Sequence, residues 1–187
     1  MIDDSLFYDM FEQHLTNELL KQCTAAGLLK GQLLQSEDID AKWKEYAPEY
    51  MADSIKEIAQ YPTVSVGWAV YIGMAVACWW SRDWEGLKDQ PYKVLYGTEG
   101  FDNMDDHIVS DILGLPLQGK EAQKVVELVR QISETAVTFI RQERVEPQSR
   151  KAFYLFAHTT KVMFRIGAAI ELFRLGYEWQ RLDIAEA

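Results

Sequence analysis

Apolar residues recur mostly at three- and four-residue spacing along the chain, the period of α-helices with one buried face. Five prolines and eleven glycines cut this pattern into helix-length pieces, because proline lacks an N–H and glycine ends helices readily. The pattern predicts an all-α protein: a single helical-bundle domain over residues 1–187, with about six or seven helices. The first helix spans about 5–26, after an Asp3/Asp4/Ser5 cap. Ser36 caps the next, whose Glu37 and Asp38 sit where the helix dipole favours carboxylates. Pro48 is expected to divide that segment into short helices over about 37–46 and 48–60. Pro62 suits the first turn of a helix running to about 83. The pattern lapses over 84–101, which reads as a long aromatic loop or short helical turns. Helices over 102–113, 120–144 and 149–179 complete the set. The 120–144 segment is the most clearly amphipathic, with Val125, Leu128, Val129, Ile132 and Ala136 on one face.

Residues 63–80 carry no charge, a length that would also span a bilayer. Arg82 and Asp83 follow at once, and the neighbouring segments are amphipathic. Ser65, Ala69, Gly73 and Ala77 form a four-residue ridge of small side chains where another helix can come close. A helix apolar all round is what the centre of a bundle requires, so the 62–83 helix is expected to be buried at the core rather than in a membrane.

Charge narrows the choice of partners. The chain has 19 basic and 29 acidic residues, a net charge of -10, which disfavours phosphate backbones and anionic lipid. Nucleic acid and membrane are therefore not expected partners, whereas a protein partner or a second copy, as a homodimer, is compatible with this acidic surface. Residues 1–119 hold 20 of the acids and 8 of the bases, while the remainder is slightly basic, so the two parts should attract each other. Cys23 and Cys78 have no CxxC or Cys/His spacing around them and read as reduced core thiols. With no basic, apolar leader visible at the N-terminus, a cytoplasmic location is expected.

Three constellations are candidates for chemistry. On the first helix, His14 and Glu18 are placed on the side of Phe7, Phe11 and Leu15, where an i, i+4 pair can share one ion or proton. In 101–111, Asp105 falls with Ile108 and Ile112, and His107 with Asp111. The order Asp105, Asp106, four residues, Asp111 resembles the aspartate-rich magnesium motif of trans-prenyl diphosphate synthases over seven residues. That family's second aspartate-rich motif and the basic residues after the first are missing, so its activity does not carry over. On the last helix, His158, Lys161 and Arg165 form one stripe, and Glu171, Arg174, Glu178 and Arg181 another, turned by roughly 150° at about 100° per residue. One solvent face cannot hold both: either the helix leaves the core partway, or the first stripe walls a polar cleft suited to a carboxylate or phosphate.

Aromatic residues from Trp79 to Phe101 add a second candidate surface, with Trp80 and Trp84 the ones expected to touch a ligand. No GxSxG, P-loop, GxGxxG or HExxH is present. The leading expectation is a helical-bundle module that binds a partner or small ligand without catalysis and without a cofactor, through His158, Lys161, Arg165, Trp80 and Trp84. The alternative is an enzyme acting on a phosphate or diphosphate ester, with a divalent metal held by His14, Glu18 and Asp105. A structural homodimer is the third.

Overall fold

A computed structural model describes residues 4–178. Among them are six α-helices and no strand: α1 Asp4–Ala25, α2 Glu37–Ser54, α3 Pro62–Leu87, α4 Met104–His107, α5 Lys120–Gln142 and α6 Arg150–Arg174. Short 3-10 turns at Tyr92–Tyr96 and Phe101–Asn103 lead into α4, which continues as a π-turn over Ile108–Ile112. Ser149 caps α6, its hydroxyl accepting the Ala152 N–H at 3.1 Å.

The expected central helix is α3. By length and composition it could cross a membrane, but 78% of its most apolar stretch is buried inside the bundle. Helices α6, α5 and α2 cover it, α6 most extensively. The crossing with α6 depends on two glycines. A Cβ on Gly73 would stand 2.0 Å from the Phe164 carbonyl oxygen, and one on Gly167 would stand 1.9 Å from the Val70 carbonyl oxygen. Backbone therefore meets backbone there, and no side chain can yield to make room.

The first two residues of the small-residue ridge serve a different helix. At Ser65 and Ala69 it meets α2: the Tyr50 hydroxyl donates to the Ser65 carbonyl and accepts the Ala69 N–H at 3.1 Å. Those two backbone groups are partners in the same rung of α3, so one hydroxyl from α2 is inserted beside a rung of the central helix. Ser65 Oγ in turn donates to the Ser54 carbonyl at 3.0 Å.

Four expectations about the elements need correction. Pro48 does not divide its segment, because α2 runs through it. Pro48 and Lys44 are both exposed, so the carbonyl that loses its amide partner faces water, while Trp43, Tyr46, Tyr50 and Met51 pin both halves to the core. The 48–60 helix accordingly ends at Ser54. The regular part of α3 does stop at Asp83, whose backbone is extended (φ -162°). One further turn follows as far as Leu87, capped by Asp83 Oδ1 on the Gly86 N–H at 3.1 Å. The expected 102–113 helix is α only to His107; the Leu113 N–H then reaches back to the Ile108 carbonyl at 2.8 Å. The end of the predicted 149–179 helix at Trp179 lies outside the described residues, and α6 itself stops at Arg174.

Candidate functional site

The stripe predicted on α6 is the centre of the strongest polar constellation. His158, Lys161 and Arg165 converge on Glu12 of α1. Glu12 Oε1 bonds His158 Nδ1, Lys161 Nζ lies 3.1 and 3.3 Å from its two oxygens, and Arg165 Nη1 is 4.0 Å away. Only 13% of the Glu12 side chain is exposed. Burial alone would raise its pKa, but hydrogen bonds and charge from His158 and Lys161 prevail and hold it below the usual carboxylate range. The His158 ring also stacks flat on Tyr8, one turn before Glu12, with centroids 4.6 Å apart.

On the other side of this stripe a groove of about 320 Å³ opens between α2 and α6. Trp43 and Phe164 form its floor, stacked with centroids 4.9 Å apart. Asp40, Lys44 and Ala47 line the α2 wall, and His158, Lys161 and Arg165 the α6 wall. The groove thus gathers three full cations, Lys44, Lys161 and Arg165, and one carboxylate, Asp40, around an aromatic floor, in a protein of net charge -10. The Lys44 side chain makes no hydrogen bond or ion pair among the described residues. Arg165 is held between Asp40, 3.6 Å from its Nε, and Glu12 at 4.0 Å, both beyond hydrogen-bond length. Its planar fork is positioned by charge with its donors unspent, the geometry that accepts a carboxylate or phosphate on two N–H groups.

The chain matches no known protein family, no curated protein and no solved structure. A second groove of about 640 Å³ adjoins the first on the far side of His158, between Tyr8 and Tyr154, where Asp4 and Asp9 balance Arg150 and Lys151.

The other expected site residues lie elsewhere. His14 is exposed, not on the core side. The buried stripe of α1 is Phe11, Leu15, Leu19 and Cys23, a four-residue spacing that turns His14 outward. Glu18 borders a shallow groove with Gln22, Gln131 and Glu134, against α5. Asp105 is half-buried on α4 beside Tyr71, and burial raises its pKa. Among the described residues no three His, Cys, Asp or Glu side chains gather as an ion requires, so His14, Glu18 and Asp105 do not form one site. The His107/Asp111 pair does form, at 2.8 Å. Trp80 donates to Asp38 at 3.3 Å and packs on Tyr177; neither it nor Trp84 lines the α2/α6 groove. Tyr92, Tyr96 and Phe101 pack on one another and on Tyr46 and Tyr50, as core under a loop.

The second stripe of α6 also differs from expectation. The helix does not leave the core: Glu171 is fully buried. Arg174 Nε and Nη2 each donate to it at 2.8 Å. Glu178 is exposed and Arg181 lies outside the described residues. Both stripes are partly covered because α6 is surrounded by several helices, so its polar residues are met by partners on different sides.

Proposed function

We propose that the protein is a binding module whose α2/α6 groove takes a small molecule with a carboxylate or phosphate on a flat apolar body. The observation that carries this reading is Arg165, flanked by two carboxylates beyond hydrogen-bond length and facing the groove with its donors unspent. Lys44 supplies a second cation on the opposite wall, and the stacked Trp43/Phe164 pair supplies an apolar face. The volume is at the small end of the range for ligand pockets, roughly 300 to 1,000 Å³.

Titration with phenyl phosphate and with benzoate, followed by the indole resonance of Trp43, tests the reading. A saturable shift is expected, and Arg165→Met should weaken it at least about tenfold, the loss of a charge-assisted pair. Shifts spread over all six tryptophans, or unchanged by Arg165→Met, would overturn the assignment of the groove.

A further inference from the structure

We infer that Glu12 is a built-in competitor for the ligand's anionic group, so that occupancy of the groove is coupled to the hold of α1 on α6. This rests on the groove being an anion site. Lys161 and Arg165 line the groove and also face Glu12. The α1 carboxylate therefore already sits against the cations that an entering carboxylate or phosphate needs. It sits there largely out of water, with 13% of its side chain exposed, where charges are weakly screened and act strongly on one another. A ligand anion at Arg165 and Lys161 brings a second negative charge against the same cations. Either Glu12 yields Lys161 to it, or the two anions repel at short range. In both cases the ligand and the Glu12 contact weaken each other by the same factor, as linkage requires.

The structural consequence falls on the first half of α1. Glu12 and the Tyr8/His158 stack fasten that half to α6 beside the groove, while Lys151 over the Phe7 ring at 4.2 Å and the Tyr8/Tyr154 pair fasten it nearer its start. Below them Phe11, Leu15 and Leu19 hold the helix by burial alone, which the ligand does not touch. Filling the groove should thus loosen α1 around Glu12 without releasing the helix.

The test compares phenyl phosphate affinity in wild type, Glu12→Gln and Glu127→Gln. Glu127 is exposed on α5, paired with Arg130 at 2.7 Å, and its replacement changes net charge equally without touching the groove. Glu12→Gln should bind about tenfold tighter, within the usual range of coupling between two contacts, and Glu127→Gln should match wild type. An equal gain in both variants would show general charge rather than competition, and unchanged or weaker binding by Glu12→Gln would overturn the proposal while leaving the groove reading intact. No binding by wild type or either variant would remove the groove reading and this one together. A second measurement needs no variant. In the wild-type protein the Glu12 carboxyl carbon should titrate at higher pH with saturating phenyl phosphate than without it, because its cations are then shared. An unchanged or lower midpoint in the saturated protein contradicts competition.

Discussion

Glu171 is a carboxylate with no exposure to water, and among the described residues its hydrogen bonds to another side chain come from the fork of Arg174. Burial raises its pKa and Arg174 opposes the rise. Removing one member of a buried pair leaves the other uncompensated, so Arg174→Met should cost about 3 kcal/mol in urea unfolding at pH 7. A carboxyl whose folded pKa is raised lends stability at low pH and loses it as pH climbs through that value. The deficit of Arg174→Met should accordingly narrow between pH 7 and pH 5; a deficit that stays constant would mean that Glu171 does not titrate in that window. The residue scale is also where the sequence was least legible. His158, Lys161 and Arg165 stood out because three basic side chains on one face of an otherwise buried helix demand partners. Their partner did not, since Glu12 lies at the edge of the α1 stripe and could equally have faced water. Glu18, two turns further along, met the same periodicity rule. What chooses between them is where α6 crosses α1, a tertiary fact that local spacing does not contain.

Among the elements, α3 and α6 meet where Gly73 and Gly167 bring backbone against backbone. Alanine is the better helix former by about 1 kcal/mol, yet Gly73→Ala should lower stability by about 3 kcal/mol through overpacking. Gly167→Ala acts on the same crossing. Once the helices have moved apart for one added methyl, the second meets less resistance, so the double variant should cost less than the sum of the singles. Thermal melts of the four proteins check this, and a Gly73→Ala variant that melts like wild type would refute the close contact. The charge-free run and its glycine were enough to predict a central helix. They could not predict that Ser65 and Ala69 would be approached by α2 and Gly73 by α6, because a ridge read from spacing has no record of how many neighbours it serves. The misread Pro48 has a similar origin. The rule against proline inside helices prices a lost hydrogen bond, and on the wet side of an anchored helix that cost is small.

For the whole molecule, the attraction expected between the acidic first part and the basic last part is realised chiefly at α6, where Glu12 and Asp40 face Lys161 and Arg165. The folded-state pKa of Glu12 is depressed. Its contribution is therefore complete above the unfolded carboxyl range, about pH 4.3, and is lost as pH falls through the lower folded value. In urea unfolding between pH 6 and pH 3, Glu12→Gln should show a shallower acid loss than wild type, with the two curves approaching at the acid end; parallel curves would contradict it. Tyr50 gives the fold a different kind of handle. Its hydroxyl bridges the Ser65 carbonyl and the Ala69 N–H, groups that belong to α3 while the phenol belongs to α2. Amide protons in a central helix ordinarily exchange with solvent only on global unfolding. The Ala69 proton has one acceptor that departs whenever α2 undocks, so its exchange rate becomes a gauge of that partial opening, readable within an otherwise silent helix. In Tyr50→Phe it should exchange no faster than its neighbours at Val70 and Tyr71 once normalised for global stability, whereas in wild type it should be the amide of α3 most sensitive to any change that frees α2.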